Sequence, residues 1–94
     1  MKLRWTRLAL QDFEHAHDYI AQENPEAARK VAQRVLDAAE NLLKFPGIGR
    51  VGEDEETREW LVRNTPYLLV YAVRDDAIEI LRVWHMSQDR LRQC

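Results

Sequence analysis

The hydrophobic pattern of this chain changes period once, and that change restricts its architecture more than any motif does. Before Lys44 the apolar residues recur at three- and four-residue spacings: Ala9, Phe13, Ala16 and Ile20 make one stripe, and Ala28, Val31, Val35, Ala39 and Leu42 make another. Such spacing stacks side chains on one face of a helix. Thr6 supplies an N-cap for the first helix, which is expected to run to about Gln22. Asn24-Pro25 repeats the start signal: the asparagine caps, and the proline stands at the first helical position, where its missing N–H is no loss. The second helix is expected to stop near Lys44, because Pro46 disfavours helical geometry at Phe45 and Gly47 follows. With only a residue or two between them, the helices must fold back as an antiparallel hairpin.

Beyond Glu56 the pattern is that of strands. Thr57 to Arg63, Tyr67 to Arg74 and Ala77 to His85 are rich in Val, Ile, Leu, Tyr and Trp, and are separated by Asn64-Thr65-Pro66 and Asp75-Asp76. Three antiparallel strands are expected, with Asp-Asp at the second turn because Asp tolerates positive φ better than most residues. At the other end, Lys2 to Trp5 alternates basic residues with Leu3 and Trp5, the period of a half-buried outer strand. The stretch Phe45 to Glu56 holds all three glycines and the acidic run Glu53-Asp54-Glu55-Glu56, and reads as the long loop of the molecule. Met86 to Cys94 is expected to form one helical turn or to fray. The class is therefore α+β: an N-terminal strand, an antiparallel helical hairpin, then a three-stranded antiparallel sheet. Residues 1–94 are expected to form a single domain, since a second core could not be filled at this length.

Composition removes several functions. The longest apolar run, Tyr67 to Val73, is seven residues, against roughly 18 for a helical membrane span. Charges interrupt Met1 to Arg7, where an export signal would need an apolar stretch, so a cytoplasmic protein is expected. Fourteen Lys and Arg against sixteen Asp and Glu leave a net charge of -2, so nucleic-acid affinity would have to come from a local basic patch. Cys94 is the only cysteine, which excludes intrachain disulfides and cysteine-rich metal sites. No cofactor and no metal are expected.

The motifs are best weighed by context. Gly47-Ile48-Gly49-Arg50-Val51-Gly52 matches the dinucleotide-binding G-x-G-x-x-G, but that fingerprint needs a strand before it and a helix after it. Here a helix precedes it and an acidic run follows, so a flexible helix-to-strand turn is expected. His15 and His17 are two apart on a helix, point to different faces and cannot jointly hold a metal. His85, Ser87 and Asp89 supply the residue types of a hydrolase triad, yet such triads are assembled from separate elements. His85 alone ends a strand, where an imidazole can act as general acid or base, against the favoured reading of a satisfied structural histidine. Trp5, Trp60, Trp84, Tyr67 and Tyr71 are a heavy aromatic load for a sheet that helices can cover on one face only. Some of these rings should be exposed beside arginines such as Arg63 and Arg82, the usual composition of interface anchors.

The order of elements and several local words together resemble the RelE/ParE superfamily of toxins from type II toxin-antitoxin pairs. The words are Ala9 with Asp12-Phe13 and Tyr19-Ile20-Ala21, Asn24-Pro25 with Ala27-Ala28, Phe45-Pro46 with Gly49-Arg50, and Thr57-Arg58-Glu59. Pro66-Tyr67 with Val70-Tyr71, and Ile80-Leu81 with Val83 and His85, complete the set. The resemblance covers nearly the whole chain and is closest to the ParE type. It implies a cognate antitoxin as partner and one of two targets. ParE-type members bind DNA gyrase, whereas RelE-type members cut mRNA on the ribosome. In the ribonucleases an arginine commonly follows the aromatic that precedes the Val-Tyr pair; here that place is Leu68. Leucine cannot neutralise a phosphorane, which favours the gyrase-directed class with no catalytic residues. The alternative is a ribonuclease using His85 with Arg82 or Arg50, or an inactive homologue. Trp60, Tyr67, Leu68 and Trp84 are the residues expected to contribute to a groove for an amphipathic partner segment.

Overall fold

The computed structural model describes residues 1–87. Seven elements follow in order: β1 (Lys2–Trp5), α1 (Arg7–Ala21), α2 (Pro25–Lys44), β2 (Arg50–Val51), β3 (Arg58–Leu61), β4 (Tyr67–Arg74) and β5 (Ala77–His85). The caps are the ones the sequence offers. Thr6 Oγ1 accepts from the Ala9 N–H and Asn24 Oδ1 from the Ala27 N–H, each satisfying an amide that the first helical turn leaves unpaired. Pro25 opens α2, and Phe45 ends it.

The strands form one sheet in the order β1-β5-β4-β3-β2. This corrects the expected sheet: its strands number five, because Arg50–Val51 pairs antiparallel with Arg58–Glu59 inside the stretch read as loop. The reason is tertiary. Tyr71 Oη accepts from the Gly49 N–H at 2.9 Å and donates to the Pro46 carbonyl at 2.9 Å, which holds this segment against β4. Gly49 is required there, since a Cβ would lie 2.6 Å from the Tyr71 hydroxyl and 2.8 Å from the Glu59 carbonyl. The segment 47–52 is thus the helix-to-strand turn its context predicts, with no helix after it.

β1 is an edge strand, as its alternation suggests, and pairs parallel to β5 with Leu3 opposite Ile78 and Trp5 opposite Ile80. β4 and β5 join through a two-residue turn in which Asp75 takes a φ of 51°. Their ladder contains a bulge: Tyr71 pairs with Ile80 but Val70 pairs with Arg82, leaving Leu81 extra. That extra residue reverses which side chains face the helices. Ile78 and Ile80 point to the hairpin before it, and Val83 points there after it.

The core lies between this sheet face and the hairpin. Ala9, Val35, Ala39 and Leu42 meet Tyr67, Leu69, Tyr71, Ile78, Ile80 and Val83, while Phe13, Ile20 and Val31 pack against them half-buried. Both apolar stripes read from the sequence are therefore core stripes. Trp5 meets Phe13 edge-on, with centroids 5.7 Å apart. Among the described residues no helix is long and apolar enough to cross a membrane.

Candidate partner-binding surface

Past Trp5 the chain leaves β1, and α1 takes over the edge of β5. Asp12 fills the place of a strand: its carboxylate accepts the Val83 N–H at 3.0 Å and two bonds from the Arg82 guanidinium, at 2.7 and 3.0 Å. These bonds push the Arg82 pKa upward against the opposing effect of burial. The same guanidinium lies 5.4 Å from the centre of the Trp84 ring. Arg82 is thereby committed to structure.

Beyond this clamp lies an open concavity of about 860 Å³ between α1 and the end of β5. Its walls include His15, Tyr19, Tyr67, Trp84, His85 and Ser87. His85 stands edge-on to Tyr67 at 5.3 Å, and its Nδ1 accepts the Ser87 N–H at 3.2 Å with the Ser87 hydroxyl 2.8 Å away. Burial, reinforced by Tyr19, pushes the Tyr67 phenol above its ordinary range. No lysine or arginine is among the described residues that line this concavity. His15 and His17 are both exposed; His15 faces the concavity and His17 sits 3.4 Å from Asp18, so the two diverge as their spacing predicts. Asp89 and Cys94 lie outside the described residues.

The three residues of the ribonuclease alternative are not gathered. His85 ends β5, Arg82 holds Asp12, and Arg50 lies on β2, paired with Glu59 at 3.1 Å. Three strand spacings separate β2 from β5, or about 14 Å.

A second concavity, about 480 Å³, opens between α2 and β3. The helices lie over β1, β4 and β5, so β3 is covered less fully. Half-buried Trp60 and the core residue Val62, just past the end of β3, make the floor of this concavity, Ala38 and Ile48 add apolar wall, and Arg34, Asp37, Arg63 and Asn64 stand around the rim.

The four residues expected to share one groove do not all meet: Tyr67 and Trp84 line the first concavity, Trp60 the second, and Leu68 neither. Trp60 and Tyr67 are on the helix side, whereas Leu68 pairs with Leu61 and Trp84 on the opposite side. Tyr67 and Leu68 are buried, at 5% and 3% exposure, so Trp60 and Trp84 carry the accessible aromatic surface. Asp12, Tyr19, Arg34 and Ile48 also line these concavities, and the only local signal for them in the sequence is that Asp12 borders Phe13 at the edge of the α1 stripe.

Comparison with known proteins agrees with this geometry. The model of the ParE toxin of type II toxin-antitoxin systems matches residues 3–90. The chain is 36% identical over 87 residues to the toxin Y4kP of Sinorhizobium fredii, covering 93% of this chain and 90% of that one. It is 37% identical over 84 residues to toxin RelE2 of Caulobacter vibrioides, covering 89% and 93%. Among solved structures, the chromosomal ParDE toxin-antitoxin system of P. aeruginosa superposes with a TM-score of 0.82 at 28% identity, over 90% of this chain and 95% of that one. Strand, helical hairpin and antiparallel sheet, with these matches along nearly their whole length, place the chain in the ParE toxin family of type II toxin-antitoxin systems.

Proposed function

We propose that this toxin acts by binding DNA gyrase, carries no catalytic residues, and is neutralised by a cognate antitoxin in the cytoplasm. The observation that carries the reading is the commitment of the two arginines that a ribonuclease would use beside His85. Cutting RNA through the 2'-hydroxyl needs a base, an acid and a positive group held against the phosphorane. Arg82 is engaged by Asp12, Arg50 by Glu59, and Leu68 occupies the place of the ribonuclease arginine. His85 is left without a cationic neighbour among the described residues of its concavity. A binding mode asks less, because its energy is spread over a few anchors and a surrounding rim.

Two assays on the purified chain test this. In a supercoiling reaction, gyrase should be inhibited equally by the wild type and by His85→Ala. In translating ribosomes, messages should stay intact. Message cleavage that disappears in His85→Ala, with gyrase untouched, overturns the proposal in favour of the ribonuclease. Leu68→Arg would not simply restore a missing cation, since it would place a guanidinium at a buried position.

A further inference from the structure

The two concavities differ in charge. Between Leu8 and Ala28 the chain carries five carboxylates and no lysine or arginine, whereas the rest of it carries 14 basic residues against 11 acidic ones. That acidic stretch is α1 with the start of α2, and α1 forms one wall of the larger concavity through His15, Ala16, Asp18, Tyr19 and Gln22. Asp12 is spent on Arg82, but the Asp18 side chain is 75% exposed and meets only the His17 imidazole, at 3.4 Å. The last turn of α1 has no basic residue, so the negative end of its dipole is answered by no cation of the same element. Rings supply the apolar part of the surface. Tyr19 stands 74% exposed, close enough to reinforce the upward shift of the buried Tyr67 phenol, and half-buried Trp84 lines the same concavity from β5.

We infer that the concavity between α1 and β5 is the surface by which the toxin holds gyrase, and that it takes a segment of the enzyme presenting a lysine or arginine beside an apolar side chain. The inference rests on the gyrase reading proposed above and adds the place and the chemistry of contact. Charge complementarity selects the occupant. An enzyme that grips DNA must present cations to the phosphates, so the surface along its DNA path attracts an acidic concavity and repels a basic one. A cation entering here meets the Asp18 carboxylate, the negative end of α1 and the exposed ring of Tyr19, whose face attracts positive charge. The trough between α2 and β3, with Arg34 and Arg63 against Asp37 on its rim, has the opposite balance and suits that segment less. His85 is not among the anchors, since its Nδ1 is turned to Ser87 and its ring to Tyr67, so the contact survives its loss.

The test uses the full chain and, as probe, the purified DNA gyrase holoenzyme with a plasmid substrate. Binding by surface plasmon resonance and inhibition of supercoiling are measured for the wild type, Tyr19→Ala, the double variant Asp18→Lys/Tyr19→Ala, and Glu40→Lys. The last makes the charge change of Asp18→Lys at an exposed position of α2 outside both concavities. Thermal melts report folding, and all these variants, being at the surface, remain folded. Tyr19→Ala should weaken binding by about tenfold and the double variant by about a hundredfold, with inhibition falling in parallel, whereas Glu40→Lys should leave both unchanged. Wild-type affinity should also fall as salt is raised, more steeply than that of the double variant. A double variant that binds as tightly as the wild type, or a Glu40→Lys chain weakened as much as the double variant, overturns the assignment of this concavity and leaves the gyrase reading standing. A wild type that neither binds nor inhibits gyrase overturns that reading, and this inference with it.

Discussion

The carboxylate of Asp12 accepts three hydrogen bonds, two from Arg82 and one from the Val83 backbone, and so ties α1 to the edge of β5 that β1 does not cover. Both side chains are largely withdrawn from water, at 18% and 23% exposure. Truncating one partner of such a pair leaves the other charge and a backbone donor poorly satisfied, and Asp12→Ala should cost about 2 to 3 kcal/mol. For a domain of this size that lowers the melting temperature by roughly 10 to 20 °C. A change below a few degrees would show that the clamp contributes little. At this scale the sequence was legible only where partners are near. The Thr6 and Asn24 caps bind amides three residues on and could be read directly. The Asp12 and Arg82 partners are 70 residues apart, and nothing short of the folded topology brings them together.

Among the elements, the two helices and β1 were readable from a hydrophobic period, and β3, β4 and β5 from their β-branched and aromatic content between turn signals. Val35 sits at the centre of the α2 stripe with 2% exposure. Val35→Asp would bury an unpaired charge at a cost of about 4 kcal/mol or more, so circular dichroism should show a chain unfolded or melting far below the wild type. An unchanged melt would mean that the stripe does not face the sheet. β2 escaped the sequence because two residues have no period; its pairing comes from the hold of Tyr71 on Gly49 and from the Arg50–Glu59 pair. The parallel direction of β1 is likewise a property of topology rather than pattern. The bulge at Leu81 had a larger effect on the candidate site. It reverses the parity of β5, so the sides on which Arg82, Trp84 and His85 emerge could not be counted from Ile78.

For the molecule as a whole, helical cover of one sheet face sets where the main core lies and leaves the trough between α2 and β3 open. Family and architecture were legible because many weak words agreed in order; the division of Trp60 and Trp84 between two concavities was not, because it depends on where the hairpin lies over the sheet. Stability should also respond to alkali. Burial raises the Tyr71 phenol against the lowering effects of the Gly49 amide and Arg58, and burial raises Tyr67 as well. A group whose folded value is raised contributes stability in full below its unfolded value, about 10 for a phenol, and loses it as pH climbs through the folded value. Denaturation midpoints should therefore be flat from neutral pH to about 10 and fall above it, with a shallower fall in Tyr71→Phe. An equally steep fall in that variant would assign the alkaline loss to other groups. The parallel union of β1 with β5 also sets a time for folding. Thr6 and Leu81 are bonded across 75 residues, and a ribosome adding about 5 to 20 residues per second needs roughly 4 to 15 seconds to make that span. Throughout that interval the first strand has nothing to join and the hairpin has no finished sheet to cover. The sheet can thus close only after Leu81 has been made, and an antitoxin already present can meet the toxin from that moment.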